Sequence, residues 1–470
     1  MKSLQRTASS SDALPVNILQ FGYGNFLRGF ADWMVEVANE KRVFKGRIEV
    51  VQIHSTEVDD RIGKQDGLFH VIERGQSKGE LVDRATLISC VERVTSIFED
   101  YESYLKLGEN PDLEFVISNT TESGIRFDSE DLPIDAISKT FPGKLTALLF
   151  RRFNHFQGDP EKGLIFLPCE LIENNGGKLK ECILSYAAFW SLPAEFSDWM
   201  ESNNDFCNTL VDRIVPGFPK GAMDEIEEKT GFQDELAVMV EPYHLWAIEG
   251  PRKVKELFPM DQAGLNVKFV ADLSPYRTMK VRILNGAHTA LVPYAYLQCF
   301  RTVREAVEDS RMGDYLKKAI FEEIIPSMDF DETELKAFAK DVLERFANPF
   351  IRHELKSIAL NSISKFKVRV LPSLLSYWEK NQSWPQNLTL GFAALVLFYK
   401  GNFKEEVLPL NDDPEVISFF SSAWKNPTLT ETLEEICTNE SLWGENLASY
   451  EGLITELEKS IQQILSSSRP

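Results

Sequence analysis

Cysteine is scarce in this sequence, and the few cysteines are spread along the whole chain. They form no CxxC pair and no cluster with histidine. Small disulfide-rich proteins and structural zinc sites both need closely spaced cysteines or histidines. We therefore expect neither a disulfide framework nor a bound metal. The cysteines are Cys90, Cys169, Cys182, Cys207, Cys299 and Cys437.

Long apolar runs are also lacking. No stretch approaches the ~20 apolar residues that a membrane-spanning helix needs. The opening segment, MKSLQRTASSSDALP, has no apolar core of the kind that a signal peptide contains. We expect residues 1–15 to be a flexible arm, and we expect a cytoplasmic protein with no membrane partner.

Positive charge is in deficit. The chain carries 51 Lys and Arg against 72 Asp and Glu, which gives a formal net charge of -21 at pH 7. Nucleic acids and anionic membranes select basic surfaces, so a nucleic-acid partner is disfavoured. A small anionic substrate stays compatible with this charge if a local basic pocket receives it. The sequence indicates no oligomeric state.

The chain does contain the alternating pattern of an α/β domain. Its 470 residues are roughly three times a typical ~150-residue domain, so we expect more than one domain. In the first half, fully apolar runs alternate with amphipathic stretches, which is typical of a sheet covered by helices on both faces. Strands are predicted at residues 18–21, 48–53, 68–73, 81–90, 113–118 and 163–168, and helices at 25–41, 91–107 and 143–156.

The pattern changes after about residue 272. Strand-like runs disappear, and apolar residues recur at three- and four-residue spacing, for example over 314–325, 332–346 and 388–399. We therefore predict an α/β fold with two domains. A Rossmann-like, mostly parallel sheet domain occupies residues 16–272, and an all-α C-terminal domain occupies residues 273–470.

A glycine-containing turn follows the first predicted strand. The string Gly22-Tyr-Gly24-Asn-Phe-Leu27 has two of the three glycines of the GxGxxG dinucleotide signature, with Leu27 at the third position. Glycine permits the tight turn and the close approach of a pyrophosphate to the backbone at a helix N-terminus. An ordinary strand–turn–helix is the alternative. The cofactor-binding residues predicted here are Phe21, Gly22, Gly24, Asn25 and Phe26.

The ends of two further strands bear on the cofactor. No Arg lies immediately after the strand at 48–53 to pair with a 2′-phosphate, which favours NAD over NADP, with Glu57 as a ribose partner. After the strand at 113–118 come Asn119, Thr120 and Glu122, which we predict to face the nicotinamide half of the cofactor. A simple helix cap is the alternative for these polar residues.

Three residues at the start of the helical domain suggest acid–base chemistry. At ~100° per residue, Lys280, His288 and Asn285 fall near about 0°, 80° and 140° of one helix, so they can face one cleft. Carbonyl reduction needs a proton donor and groups that hold the oxygen. Gly286 costs about 1 kcal/mol within a helix, which suggests a close approach there. The alternative is a surface lysine beside a core histidine.

Four motifs along the chain resemble those of one family. Lys280-x-Arg-x-Leu-Asn-x-x-His288 is similar to the signature of the polyol-specific long-chain dehydrogenases, the mannitol dehydrogenase family. Val211-Asp-Arg-Ile-x-Pro216 is similar to its second motif, and Gly22-x-Gly-x-Phe-x-Arg28 and Arg345-Phe-x-Asn-Pro349 also fit. The resemblance extends from about residue 16 to the C-terminus.

The resemblance implies roles for individual residues. Lys280 is the general acid in reduction, Asp212 lies beside it and orients it, and Asn285 and His288 bind the reacting oxygen. Lys365 aligns with a family lysine of the substrate pocket. The other substrate-binding residues predicted are His353 and Arg345. A carboxylate on the substrate needs a cation, and Lys367 and Arg369 fit this role and a solvated helix face equally well.

The resemblance also implies a substrate class. Cys169-Glu-Leu171 stands where mannitol dehydrogenase-like members have Cys-Asp-Asn, so Leu171 cannot support the substrate oxygen. Either Asn285 acts with His288 alone, or Asn174 substitutes. The change favours a hexuronate over a plain polyol. The resemblance as a whole implies metal-free, NAD-dependent reduction of D-tagaturonate to D-altronate in hexuronate catabolism. The alternatives are a mannonate (fructuronate) or mannitol oxidoreductase and, outside this class, a silent NAD-binding regulator or an epimerase.

Overall fold

A computed structural model of the protein describes residues 2–6, 14–53, 60–121 and 123–467. The chain divides into two compact units. The first unit comprises Met1–Arg74 and Leu81–Leu273, and the second comprises Gly75–Glu80 and Ser274–Pro470. Within the described ranges, every helix is too short or too polar to cross a bilayer.

The first unit is built around a parallel sheet. Its strands are β1 Lys2–Ser3, β2 Val16–Phe21, β3 Arg47–Gln52, β4 Phe69–Ser77, β5 Glu80–Ile88, β6 Val91–Ser96, β7 Phe115–Ser118, β8 Ile165–Pro168, β9 Asp205–Phe206, β10 Asn208–Asp212, β11 Phe232–Gln233, β12 Val238–Val240, β13 Leu245–Glu249 and β14 Val267–Val270. Its helices are α1 Asn25–Leu27, α2 Trp33–Glu40, α3 Asp60–Lys64, α4 Tyr101–Lys106, α5 Phe141–His155, α6 Asn175–Phe189, α7 Ala194–Asn203, α8 Met223–Thr230 and α9 Arg252–Leu257.

The central sheet has the strand order β6-β3-β2-β7-β8-β9, and every pair in it is parallel. Chain order runs outward from β2 in both directions, so the connections after β2 and β7 leave toward different edges. Such a switch point leaves a crevice at the carboxyl ends of the two strands, where open α/β sheets bind ligands. The sequence places the Gly22–Gly24 turn at this end of β2.

Both faces of this sheet are covered. Ile18 and Val50 pack into one apolar core, whereas their neighbours Leu19 and Val51 pack into another. Successive side chains of a strand point to opposite faces, so a strand with a core on each face is apolar at most positions. This is why most strand residues are apolar, although β2 also contains buried Gln20 and β3 contains buried Glu49, whose carboxylate accepts from Arg93 Nε and Thr95 Oγ1.

One predicted element is wrong. The sequence pattern predicts a single helix at residues 91–107, but the segment forms the edge strand β6 followed by the short helix α4. β6 pairs in parallel with β3 through Val91, Arg93 and Val94. Charged residues at 92 and 93 imitate the polar face of a helix, but β-branched residues at 91, 94 and 95 favour a strand.

The small sheets of the first unit have the orders β12-β4-β5, β10-β13-β14 and β1-β11. β1 pairs in parallel with β11, and Leu4, which follows it, is only 2% exposed. Residues 2–6 of the predicted arm are therefore packed rather than free. Residues 7–13 lie outside the described residues, so the flexibility of the arm stays a prediction there.

The second unit is helical. Its helices are α10 Ser274–Met279, α11 Gly286–Leu297, α12 Val303–Glu308, α13 Ser310–Lys318, α14 Glu332–Phe346, α15 Leu355–Ile358, α16 Ser362–Arg369, α17 Leu371–Asn381, α18 Gln386–Phe398, α19 Pro414–Ala423, α20 Leu429–Thr438, α21 Glu440–Trp443 and α22 Leu453–Ser467. A two-residue ladder, β15 Asn402–Phe403 with β16 Glu406–Val407, interrupts them. α11 is buried along its whole length, as is α18 from Leu388 onward. Helices that are apolar on all sides form the centre of a domain.

The hairpin tip Gly75–Glu80, which contains the last residues of β4 and the first residue of β5, groups with the second unit, although the rest of both strands groups with the first. The backbone N–H groups of Lys78 and Gly79 donate to the Glu344 carboxylate of α14, at 2.9 and 2.8 Å. The predicted class, a Rossmann-like parallel sheet followed by a helical region, is confirmed.

Candidate functional site

The turn after β2 requires glycine at its first position. Gly22 has a φ of +113°, which L side chains rarely adopt, and a Cβ added there would lie 3.1 Å from the Asn119 carbonyl oxygen. Glycine alone takes this conformation without strain. The turn therefore brings the ends of β2 and β7 close together, at the switch point of the sheet.

Gly24 fits a different need. Its backbone is extended (φ −73°, ψ 166°), and a Cβ added there would meet nothing within 4 Å. No described residue lies close enough for steric crowding to explain why this position is a glycine. Open space in front of a glycine at a helix N-terminus is the geometry that a pyrophosphate needs. The turn thus fits a dinucleotide.

The side chains around this turn differ in what they can offer a ligand. The ring of Phe21 is buried against Phe141, at 5.0 Å between centroids, so this residue supports the turn from the core. Asn25 is exposed and its Oδ1 accepts a hydrogen bond from Arg28 Nη2 at 2.7 Å. Phe26 is half-buried and stacks on Phe30 at 4.9 Å.

The end of β7 is held by a buried carboxylate. Glu170, which follows β8, accepts hydrogen bonds from Ser118 Oγ at 3.0 Å and from Thr120 N and Oγ1 at 2.9 and 3.0 Å. Burial raises the pKa of Glu170, and these hydrogen bonds oppose that shift. Asn119 Nδ2 donates to the Cys169 carbonyl oxygen at 3.3 Å. The two predicted cofactor residues, Asn119 and Thr120, are therefore fixed by the strand beside them.

Two predicted cofactor residues, Glu57 and Glu122, lie outside the described residues.

The motif at residues 211–216 also lies in the first unit. Asp212 is the last residue of β10, opposite Leu245 of β13, and is 7% exposed. Its neighbour Arg213 is fully buried, donates from Nη1 to the Gly29 carbonyl oxygen at 2.8 Å, and lies over the Trp33 ring at 4.0 Å. Burial lowers the pKa of Arg213 to about 10. Arg213 thus ties this motif to the helical segment that follows the glycine turn.

The segment of the second unit that carries Lys280 is a π-helix, Lys280–Asn285, between α10 and α11. The predicted angles of about 0°, 80° and 140° assume a continuous α-helix, and that assumption is wrong here. In a π-helix the hydrogen bonds join residues five apart, as the Gly286 N–H does with the Val281 carbonyl oxygen. Lys280 and Asn285, five residues apart, therefore lie closer to one face than predicted. Single π turns are frequent at functional sites.

Gly286 has the close approach that its sequence position suggests. A Cβ at this residue would lie 2.9 Å from the carbonyl oxygen of Arg369, at the end of α16. Any larger residue would push α16 away from the first turn of α11. The glycine therefore sets the distance between Arg369 and the segment that carries Asn285 and His288.

His288 is buried in an aromatic and cationic environment. Its ring stacks on Phe346 at 3.9 Å between centroids and meets His353 edge-on at 5.1 Å. Burial lowers the pKa of His288 well below its usual range, and His353, Arg345 and Arg369 lower it further. The imidazole is therefore neutral at pH 7. Its Nε2 has no hydrogen-bond partner among the described residues.

The remaining predicted substrate residues lie on α14, α16 and the segment between them. Arg345 is 7% exposed, in the last turn of α14. Burial lowers the pKa of His353. Lys365 is half-buried, and its Nζ donates to the Ile358 carbonyl oxygen at 3.0 Å. The structure thus brings His288, His353 and Arg345 together, with Arg369 close enough to act on His288.

Lys280 is half-buried at the first position of its π-helix, and Asn285 is half-buried at the last. Asp212 belongs to the first unit, whereas Lys280 belongs to the second. In the described part of the chain, no three His, Cys, Asp or Glu side chains are grouped as a metal site requires.

Comparison with known protein families shows the family to which the chain belongs. Residues 16–262 match the mannitol dehydrogenase Rossmann domain, and residues 272–465 match the mannitol dehydrogenase C-terminal domain. The chain belongs to the mannitol dehydrogenase family. The predicted resemblance is therefore confirmed.

Relatives within the mannitol dehydrogenase family match over almost the whole chain. A protein of Bacillus subtilis named altronate oxidoreductase is 46% identical over 92% of this chain and 89% of its own length. Another of that name, from Phocaeicola vulgatus, is 43% identical over 99% of this chain and 97% of its own length.

Solved structures share the fold at lower identity. A D-sorbitol dehydrogenase in substrate-free form is 21% identical with a TM-score of 0.77, over 97% of this chain and 93% of that one. A Pseudomonas fluorescens mannitol 2-dehydrogenase, in a ternary complex with NAD and D-mannitol, is also 21% identical, with a TM-score of 0.64 over 96% and 92%. At this identity the likeness shows the mannitol dehydrogenase fold alone.

The departure at Leu171 is visible in the structure of this mannitol dehydrogenase family member. Leu171 is 63% exposed. Asn174, suggested as a substitute, is exposed in a left-handed conformation (φ 55°) at the N-cap of α6. Its neighbour Asn175 is buried and donates from Nδ2 to the carbonyl oxygens of Pro168 and Thr209, both at 3.0 Å. The role of Asn174 stays a prediction.

Sequence reasoning misses two residues of this site. Glu170 stands out in the sequence only through its neighbour Leu171, yet its carboxylate holds the turn at 118–120. Phe346 is part of the 345–349 motif, but nothing in the sequence links it to His288, 58 positions earlier, on which it stacks. The motif itself is the available signal for Phe346.

Proposed function

We propose that this protein is an NAD-dependent oxidoreductase that reduces D-tagaturonate to D-altronate, reversibly, at a secondary carbon. The observation that carries the proposal is the cationic environment of His288, formed by Arg345 and Arg369 in a chain of net charge -21. A ketose with a carboxylate suits this environment better than a neutral polyol. Relatives named altronate oxidoreductase, 40–46% identical, support the same substrate.

In this proposal the first unit binds the dinucleotide and the second binds the substrate. Gly22 and Gly24 suit the pyrophosphate, and Asn119 and Thr120 lie at the neighbouring strand end. When bound, NAD supplies the hydride in reduction and accepts it in oxidation. The ternary complex of the mannitol 2-dehydrogenase contains NAD, which supports NAD as the cofactor of this chain.

The residues of the chain supply the proton and hold the oxygen. As hydride reaches the carbonyl carbon, the C=O π electrons move to oxygen, and Lys280 gives this alkoxide its proton. Asp212 orients the Lys280 ammonium. Asn285 donates its amide N–H to the oxygen, and neutral His288 forms a second hydrogen bond from Nε2, which has no partner among the described residues. In oxidation the same proton returns to Lys280.

We also propose the cytoplasm as the site of action. The described cysteines are free thiols, and several are buried, which suits a reducing compartment.

The test is absorbance at the NADH band with tagaturonate, fructuronate and fructose as parallel substrates, with and without a chelator. We expect NADH consumption chiefly with tagaturonate and no effect of the chelator. Faster consumption with fructuronate or fructose would contradict the substrate. No consumption with any of them, together with NADH binding, would favour a silent regulator, and loss of substrate without net NADH change would favour an epimerase.

A further inference from the structure

The cation that receives the substrate carboxylate can be identified within the second unit. Several cations lie on α14 and α16, but their charges are engaged to different degrees. The Lys365 ammonium donates to the Ile358 carbonyl oxygen at 3.0 Å. Burial and the charge of Arg369 lower the pKa of Lys365, and Asp412 offsets part of this shift. Arg345 is 7% exposed and takes part in other interactions. Both therefore have structural roles already.

Arg369 differs from these two. It is half-buried, and burial alone lowers the pKa of its guanidinium. No hydrogen bond or ion pair with another described residue holds this guanidinium. Withdrawing a cation from water without a partner is unfavourable, so a half-buried arginine with no partner is a ready receptor for an anion.

The backbone of Arg369 lies close to the segment that carries two of the predicted catalytic residues. Its carbonyl oxygen lies against Gly286, next to Asn285 and two residues before His288. Its charge also acts on His288, whose Nε2 has no partner in the described part of the chain. A ligand that hydrogen-bonds to His288 through one oxygen is therefore within the electrostatic reach of Arg369.

We propose that Arg369 binds the carboxylate of the hexuronate, and so selects a uronate over a neutral ketose of the same carbon chain. The inference rests on the proposed function, because it assigns a residue to that substrate. Arginine suits the task since its planar guanidinium donates two parallel N–H groups to the two carboxylate oxygens. Lysine lacks this paired geometry.

The test compares two substrates that differ in one group: D-tagaturonate, and D-tagatose, which has a hydroxymethyl group in place of the carboxylate. For Arg369→Gln we expect kcat/KM with tagaturonate to fall about 100-fold, mostly through KM, because a charge-assisted bidentate pair is lost. With tagatose we expect a change of less than about threefold. Arg369→Lys keeps the charge but lacks the two parallel N–H groups of the guanidinium, so we expect kcat/KM with tagaturonate to fall about tenfold.

Lys356→Gln is the matched control. It removes one positive charge from the same unit, where Lys356 is exposed and paired with Glu354 at 2.9 Å, and should leave both substrates unchanged. NADH binding, measured by fluorescence, should be unaltered in all three variants. If Arg369→Gln does not fold, Arg369→Lys decides.

The outcomes separate the two proposals. If the wild-type chain prefers tagaturonate to tagatose and the Arg369 variants keep that preference, Arg369 is not the carboxylate receptor and the proposed function stands. If the wild-type chain has no preference for tagaturonate, the proposed function fails, and the role of Arg369 fails with it.

Discussion

The two units treat the polar groups of their candidate sites differently. At the strand ends of the first unit the side chains satisfy one another: Glu170 accepts from Ser118 and Thr120, and buried Asn175 bonds to β8 and β10. Around His288 in the second unit, Nε2 and the Arg369 guanidinium have no such partners among the described residues. A satisfied network gives a rigid surface, whereas unsatisfied groups gain most from a ligand. We call the strand ends of the first unit, together with the Gly22–Gly24 turn, the platform. We call the surroundings of His288 and Arg369 in the second unit the receptor.

The largest effect should come from removing the proposed proton donor of the receptor. Lys280→Ala should lower kcat by about 10²–10⁴-fold, since general acids contribute this much to proton transfer. NADH binding should stay within about twofold, because the platform is untouched. Steady-state kinetics and NADH fluorescence titration check both parts. Activity that survives within about tenfold at neutral pH would remove Lys280 from this role.

The platform can be tested by a matched pair of glycine substitutions. Gly22→Ala forces a side chain into φ +113° and against the Asn119 carbonyl oxygen, so we expect a loss of about 1–3 kcal/mol in the free energy of unfolding. Gly24→Ala adds a methyl group into open space, so the unfolding free energy should be unchanged while the NADH Kd rises. Urea unfolding and NADH titration of both variants measure this. Equal stability losses would show that the two glycines do not have separate roles.

The pH dependence of stability tests one polar group of the first unit whose hydrogen bonds are satisfied, the His244 ring. His244 Nε2 accepts from Asn266 N at 3.0 Å and its Nδ1 donates to the Pro242 carbonyl oxygen at 3.1 Å, which fixes a neutral ring. Burial lowers the pKa of His244 to about 3, against 6.5 for an exposed histidine. The unfolded chain therefore takes up the proton first as the pH falls. The stabilisation is complete above 6.5 and is lost progressively below it.

We expect His244 to contribute a loss of about 2 kcal/mol in unfolding free energy between pH 7.5 and pH 5. Urea unfolding of the full chain at the two pH values measures the total change, and His244→Gln should reduce it by this amount. His155→Gln is the control, because the His155 side chain is 43% exposed. An identical pH dependence in wild type and His244→Gln would contradict a neutral His244 ring in the folded chain.

The smallest effect is expected at Glu170. Glu170→Gln replaces one of two acceptor oxygens by an NH₂ group that faces the donors of Ser118 and Thr120. The turn at 118–120 should loosen, so the KM for NADH should rise about tenfold while the KM for the hexuronate changes little. Exposed Glu181→Gln on α6 is the control. A rise in both KM values would mean that Glu170 supports the fold in general and not the cofactor side of the platform.

The sequence predicts the overall fold of this protein better than it predicts single elements and the contacts within the candidate site. The parallel sheet followed by a helical region is predictable, because unbroken apolar runs and three- to four-residue periodicity are local signals. The segment at 91–107 is not, since the apolar residues of edge strand β6, at 91 and 94, are three apart with charged residues between them, which is the spacing of a helix. The π-helix at Lys280–Asn285 is not predictable either, because its extra residue leaves the apolar periodicity almost unchanged. The partners of Glu170 and His288 come from distant parts of the chain, which periodicity does not report.

The hairpin tip of β4 and β5 has a consequence for recombination. Because Gly75–Glu80 groups with the second unit, the chain passes between units at residue 74, at residue 80 and again at residue 273. A chimera made by exchanging residues 274–470 with a relative would leave the native Lys78 and Gly79 amides facing a foreign residue at position 344. Exchange of residues 75–80 together with 274–470 keeps this pair matched. Residues 75–80 and 274–470 should therefore be exchanged together, because a single crossover point at residue 273 separates segments that group in one unit.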